Sequence, residues 1–366
     1  MTNEKPTLLL EPEDIKPSND NMKVRGAFNP AVTRLPNGKI LLMVRIAETP
    51  IHGKRYFLVP MMKGTEKDPK MHIDKLPRHE GVIGNEGYLN KWGMWRLPTI
   101  SHLRKVLLDE TGTKIEQISQ SPDFYGIKGE GDFGVEDARI TFFKKQKLYA
   151  MTYVSVSKNS GVSTTLATSK NLTKWNRKGI IFRQQNKDAV LFPEKINGYY
   201  VALHRPEGLM DFDKPNIWIS YSKDLIYWGR DKPLLAPRRK GWDALRIGPG
   251  TVPLRIKEGF LEIYHGVCHS RANDPESDKI YRAGAVLFST KDPSKILART
   301  PVSKALFGPE GKHEKTGFMK NVVFPTGKIL SKNKKNLLIY SGGGDSNTTV
   351  RELSVTKVLN SMEFRQ

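Results

Sequence analysis

The chain has 366 residues, 38% of them hydrophobic and 27% charged, a composition of folded globular proteins that excludes a chain dominated by disorder. Sixty Lys and Arg against 38 Asp and Glu leave a net charge of +22 that draws anions, but no helix-turn-helix, zinc-finger or aromatic–basic pattern accompanies it, so nucleic acid is not an expected partner. A single cysteine, Cys268, excludes an intrachain disulfide, the eight histidines lack metal-ligand spacing, and the apolar runs fall far short of the roughly 20 residues of a membrane span.

The N-terminus carries no basic start with an apolar stretch behind it, so the expected location is cytoplasmic. Helical periodicity is almost absent. Short apolar runs rich in β-branched and aromatic residues recur instead between Gly, Pro, Asn and Asp turns. They lie at 40–44, 148–154, 162–168, 199–203, 217–221, 260–264, 283–289 and 336–340, and they predict an all-β chain. The segment 51–95, rich in Gly, Lys, Met and Pro, resists strand assignment and reads as a long insertion over one face, a candidate lid.

Residues 129–139, Gly-Glu-Gly-Asp-Phe-Gly-Val-Glu-Asp-Ala-Arg, pack four carboxylates and one arginine among glycines on the approach to a strand. Strand alternation pairs Glu130 with Asp132 and sends Glu136 and Asp137 to opposite faces, so that one of the last two can be aimed into a cavity. The other three carboxylates are expected in a solvated loop, with Glu136 pairing with a nearby arginine.

A repeat follows. Ser-Lys-Asn-Leu-Thr-Lys-Trp at 169–175 returns as Ser-Lys-Asp-Leu-Ile-Tyr-Trp at 222–228 and, degenerate, as Ser-Thr-Lys-Asp-Pro at 289–293. Each copy follows a strand, and the intervals of about 53 and 68 residues suit one four-stranded propeller blade with loops. Five or six blades would fill the chain as one domain, 1–366, the repeated turn closing a hairpin and its Trp packing between sheets. In a ring of blades, residues far apart in sequence meet at a central channel. Arg45, Asp137, Arg139, His204, Arg205, Arg246, Tyr264, His265, Asn321 and Asp345 all sit at strand ends or in the turns beside them. Arginines, histidines and a tyrosine around one or two carboxylates describe an anion site beside an acid.

These strings, in this order, resemble glycoside hydrolase family 130, the β-mannoside phosphorylases. The resemblance runs from about Phe28 to Leu353. Its most specific segments are 134–140 (GVEDARI), 187–196 (KDAVLFPEKI) with His204-Arg205-Pro206, 264–267 (YHGV) and 317–327 (GFMKNVVFPTG). It implies a five-bladed β-propeller and inverting phosphorolysis: phosphate attacks C1 of a non-reducing β-mannosyl unit and gives α-mannose 1-phosphate and a shortened acceptor. Asp137 matches the acid, which passes its proton to the glycosidic oxygen through the sugar's own 3-hydroxyl. Arg45, Arg205, Arg246, Tyr264 and His265 match phosphate-binding positions, and Asp345, Asn321 and His204 sugar-binding ones. No cofactor or metal is implied, inorganic phosphate being a co-substrate. The partners are a β-manno-oligosaccharide and phosphate, with a homo-oligomer left open.

Two departures stand out. Arg45 leads into Ile-Ala-Glu-Thr-Pro rather than Glu-Asp-Arg, with Lys54 or Arg55 as candidate replacements, and Arg246 stands where many members carry lysine. The Ala-Glu variant, with residues 97–103, is closer to the branch containing β-1,2-mannoside phosphorylases. Two alternatives remain: an inverting β-mannosidase, for which Glu207 or Asp243 would be the base, and a non-catalytic sugar-binding propeller.

Overall fold

In the computed structural model, which describes residues 4–51, 55–84, 87–183, 185–207, 212–271, 274 and 276–364, nearly all regular structure is β. Five antiparallel sheets of four or more strands follow one another along the chain. The first comprises Met22–Arg34, Ile40–Pro50, Ile100–Leu108 and Ile115–Ile118; the second Val135–Phe143, Leu148–Ser157, Gly161–Ser169 and Asn176–Phe182. The third runs Asn186–Leu191, Tyr200–Pro206, Ile217–Ser222 and Trp228–Leu235, and the fourth is built around Arg246–Gly248, Phe260–His269, Lys279–Phe288 and Ile296–Arg299. In the fifth, Val323–Leu330, Asn336–Gly343 and Asn347–Ser354 are completed by Thr7–Leu10, so that a strand from the start of the chain pairs with its last sheet.

The core is divided in the same way. Five apolar clusters each lie between one sheet and the next, for example Met43 and Leu103 against Met151 and Tyr153, or Leu203 and Ile219 against Phe260 and Phe288. The series ends with Val44 and Val106 of the first sheet against Leu338 and Tyr340 of the fifth. Apolar side chains on both faces of a strand follow from sheets stacked on either side, and explain why the core strands read as continuous apolar runs.

The repeated heptad is one turn used three times, joining the third strand of a sheet to its fourth. Ser169 Oγ accepts from the Asn171 and Leu172 N–H groups and Asn171 Oδ1 from those of Thr173 and Lys174. Ser222 and Asp224 repeat the pattern, and Ser289 with Asp292 keeps its first half. These short side chains satisfy turn N–H groups that no strand can reach. Trp175 and Trp228 pack in the clusters between sheets, as expected.

Bulges in the first strands of the sheets position the site. Asn29, Asp137 and Asp188 have φ of 50°, 46° and 61°, each at a register break of the first, second and third sheets, and Asn321 (φ 59°) lies just before Val323–Leu330 of the fifth, with Val322 between. Among non-glycine residues left-handed backbone is tolerated best by Asn and Asp, and a bulge re-aims the side chain it carries.

Residues 51–95 depart from expectation, for within them Tyr56–Met62 pairs with Met71–Pro77, and Gly81–Gly84, Gly87–Asn90 and Trp95–Arg96 form a small sheet. Phe57, Val59, Met61 and Tyr88 bury themselves against Phe133, Val154 and Val156, so the insertion is folded onto the acidic loop. Among the described residues no helix is long and apolar enough to cross a membrane.

Candidate active site

Two charged groups lie within electrostatic reach of one another through Lys187. The first is centred on Arg45, whose Nε donates to Ser101 Oγ (3.0 Å) and Nη1 to Asp137 Oδ1 (3.1 Å), while Nη2 lies 2.9 Å from Glu136 Oε1. Its guanidinium stacks on the Phe28 ring at 4.7 Å. Asn29 Nδ2 also donates to Asp137 Oδ1, at 2.9 Å, leaving Oδ2 as the oxygen able to carry a proton. Glu136 and Asp137 therefore do not diverge as strand alternation predicts. The bulge between Glu136 and Arg139 cancels the alternation and brings both carboxylates to one arginine.

Electrostatics separates these acids. Burial raises the Glu136 carboxyl above its usual range despite Arg45. At Asp137 burial acts the same way but is outweighed by Arg45, Arg139 and the Asn29 hydrogen bond, which hold it below its usual range. Asp345, in the turn after Asn336–Gly343, lies within electrostatic reach of Arg45 and Asp137, and burial pushes it up to about 6. Two carboxylates sharing one arginine take up their first proton where burial dominates.

The second group gathers Lys187, Asp188, Arg205, Glu207, Arg246, His265 and Tyr281. Arg205 Nη2 lies 3.1 Å from Asp188 Oδ2 and 3.0 Å from Glu207 Oε1; Arg246 Nη1 lies 3.6 Å from the same Glu207 oxygen and its Nη2 donates to Tyr281 OH at 3.0 Å. His265 is fully buried against the Phe324 ring at 4.4 Å, and a side chain at Gly248 would strike it. Burial first, then Arg205, Arg246, Arg139 and Lys187, hold its pKa well below the usual value, so the ring is neutral at pH 7. Among the described residues neither of its nitrogens has a hydrogen-bond partner, nor does Arg205 Nε. Buried polar atoms without partners are costly, and here they sit within a cationic cluster.

Lys187 and Arg139 tie the groups together. Lys187 is the register partner of Arg205, and its charge acts on Glu136 and Asp345 on one side and on Glu207 and His265 on the other. Arg139 donates to the Asp137 carbonyl (2.8 Å) and the Gly250 carbonyl (2.6 Å), and its Nη2 approaches Asp188 Oδ1 at 4.0 Å.

Several sequence expectations need correction. Tyr264, neighbour of His265 on a strand, points to the opposite face, where it packs on Trp242, donates to Asp243 Oδ2 (3.1 Å) and accepts from Arg299 Nε (3.0 Å). Tyr281, on the strand paired with it, takes the place expected for Tyr264. His204 likewise turns from Arg205 into the sheet, bonded to Asn186 and Ser220 and stacked on Phe182, with burial lowering its pKa to about 4. Arg45 is committed to Asp137, Glu136 and Ser101 rather than placed beside Arg205 and Arg246. Asn321 contributes its carbonyl, which accepts from the Tyr281 N–H at 3.0 Å. Asp243, bound by Arg238 and Arg299 and fully buried, is no base. Glu130 and Asp132 brace the loop instead of being solvated: Glu130 accepts from Tyr153 and Arg177, Asp132 from the Gly129 and Lys158 N–H groups. Lys54 lies outside the described residues, and Arg55 stacks on Tyr56. Asn29, Ser101, Asp188 and Tyr281 escaped sequence reasoning; Lys187 and Asp188 lay within a quoted string, but nothing local marked them.

Residues 117–364 match the profile of a glycoside hydrolase family described as beta-1,4-mannooligosaccharide phosphorylase. The chain belongs to glycoside hydrolase family 130. The beta-1,2-mannobiose phosphorylase of Listeria innocua is 32% identical over 97% of this chain and 96% of its own length. Its structure in complex with beta-1,2-mannobiose superposes with a TM-score of 0.84 at 96% coverage of both chains. A 1,2-beta-oligomannan phosphorylase of Thermoanaerobacter is 40% identical over 58% of this chain and 66% of its own length.

Proposed function

We propose that this chain is an inverting β-mannoside phosphorylase that favours β-1,2 linkages, transferring a mannosyl unit from a β-manno-oligosaccharide to phosphate. The observation that carries this reading is the cationic cluster of Arg205, Arg246, Lys187 and His265, in which buried nitrogens of Arg205 and His265 lack partners among the described residues. A hydrolase needs a second carboxylate to activate water, whereas a phosphorylase needs its nucleophile held. Asp243 is unable to serve, and Glu207 lies against two arginines.

The five sheets are read as the blades of a propeller, one domain carrying the 51–95 insertion. A cavity of about 200 Å³ supports this reading, since Val32, Ile140, Pro193, Leu254 and Lys328, one from each sheet or the turn beside it, line it together. Asp137 is the acid. Its Oδ1 is fixed by Asn29 and Arg45, and its Oδ2 passes a proton to the departing oxygen through the sugar's 3-hydroxyl. Asp137 is ionised in the free site, so it takes up that proton from solvent as substrate binds and burial gains weight, and is ionised again once the proton has passed to the leaving oxygen. Arg45 thus belongs to the acid, and Asp345 to the sugar side. Arg205, Arg246 and His265, supported by Lys187, present donors to phosphate, the arginines in fork geometry suited to its oxygens. Comparing β-1,2- and β-1,4-mannobiose at equal phosphate tests the linkage preference; faster consumption of the β-1,4 disaccharide contradicts it.

A further inference from the structure

Among the described residues, Glu207 is the carboxylate that pairs with both Arg205 and Arg246. Its Oε1 lies 3.0 Å from Arg205 Nη2 and 3.6 Å from Arg246 Nη1, the position a tetrahedral anion bridging both guanidiniums would place an oxygen. Its backbone is fixed by the N–H donating to the Gln185 carbonyl at 2.8 Å. The side chain stays 22% exposed, unlike Asp188, which is buried among Arg205, Arg139 and His265. An anion bound by Arg205, Arg246 and His265 therefore meets a carboxylate.

We infer that Glu207 makes this cationic cluster selective for a protonated anion, accepting a hydrogen bond from the P–OH of hydrogen phosphate and rejecting sulfate. The inference rests on the phosphorolytic reading. A carboxylate is an acceptor only, so facing a bare anionic oxygen it repels, and facing a P–OH it bonds. Hydrogen phosphate keeps a proton at neutral pH and sulfate, of the same shape and charge, has none. Discrimination thus rests on the proton alone, as expected where a buried acceptor would otherwise be left unpaired. Burial tends to raise Glu207, but Arg205, Lys187 and Arg246 outweigh it and keep the carboxylate ionised. Holding the one P–OH at Glu207 also turns bare oxygens toward the sugar, where the nucleophile must be unprotonated. His265, neutral and unpartnered, can donate to one of those oxygens.

The test is the ratio of sulfate inhibition constant to phosphate KM in the wild type, in Glu207→Gln and in Glu207→Asp, with calorimetric binding of both anions alongside. The wild type should bind phosphate far more tightly than sulfate. Glu207→Gln, whose amide can donate, should narrow that gap about tenfold or more, and Glu207→Asp, which keeps the acceptor, should retain most of it. A ratio unchanged in Glu207→Gln, including the case in which both anions bind more tightly by the same factor, overturns the inference and leaves Glu207 as a displaceable occupant. If the wild type shows no phosphate-dependent turnover, the phosphorylase reading itself fails, and the two binding constants still report whether Glu207 discriminates.

Discussion

Replacing Asp137 by Asn perturbs the proposed chemistry while leaving most of the local structure intact. The amide oxygen still accepts from Asn29 Nδ2 and Arg45 Nη1, and Arg45 retains its contact with Glu136 at 2.9 Å. Stability should therefore change by only about 1 kcal/mol, the scale of one weakened hydrogen bond. What is lost is the transferable proton. General acid catalysis is worth roughly 10²–10⁴ in rate, or about 2.7–5.4 kcal/mol of barrier, so kcat on β-mannobiose should fall by that factor. The assay that isolates the proton is a comparison of mannobiose with an activated β-aryl mannoside, whose leaving group needs little protonation. The variant should lose far less on the aryl substrate. Equal losses on both, or a loss that tracks a lowered melting temperature, would mean that Asp137 holds the loop or the sugar and that the acid lies elsewhere.

Arg246→Ala removes one charge-assisted contact to phosphate, worth roughly 1.5–3 kcal/mol, and should raise the phosphate KM about 10- to 100-fold with a smaller change in kcat; an unaltered phosphate dependence places Arg246 outside the clamp. Tyr264→Phe breaks the hydrogen bonds with Asp243 and Arg299 in the core between sheets, so denaturant melts should show a loss of about 1–2 kcal/mol while the phosphate KM stays put. Asp345 titrates near 6 when folded and near the ordinary carboxylate value when unfolded, so the folded state binds the extra proton. Its contribution to stability is accordingly lost as pH rises through that window, and Asp345→Asn should raise the melting temperature at pH 7 by more than at pH 4. Equal shifts at both pH values would contradict its raised pKa.

How much the sequence discloses varies with the physics behind each residue. The all-β character and the repeated turn were legible, because Ser-Lys-Asn/Asp-Leu encodes its own hydrogen bonds at 169–172 and 222–225. Asp137 and the arginines were singled out by a long resemblance, not by local pattern, and the structure pairs Asp137 with Arg45 and sets Arg205 and Arg246 about Glu207. Strand alternation, used as a ruler, failed at 136–137 because Asp137 adopts left-handed backbone within a bulge, which no residue type announces. Adjacent strand residues cannot both face a site on a regular strand, which is why Tyr264 and His204 turn away from His265 and Arg205. Tyr281 was invisible, since its role depends on which residue of the facing strand lies beside Val267. The insertion hid its strands because each is short and interrupted by turns, and its burial comes from Phe133 and Val154, outside the segment.

In the proposed reaction phosphate, held by Arg205, Arg246 and His265, is the nucleophile. Incubating the wild-type protein with β-1,2-mannobiose in phosphate and in phosphate-free buffer, and following the products by phosphorus and proton NMR, tests it most directly. Phosphorolysis gives α-mannose 1-phosphate and mannose in equal amounts with phosphate, and negligible cleavage without it. Cleavage to two mannose molecules at the same rate in phosphate-free buffer, or a β-configured phosphate ester, would contradict it.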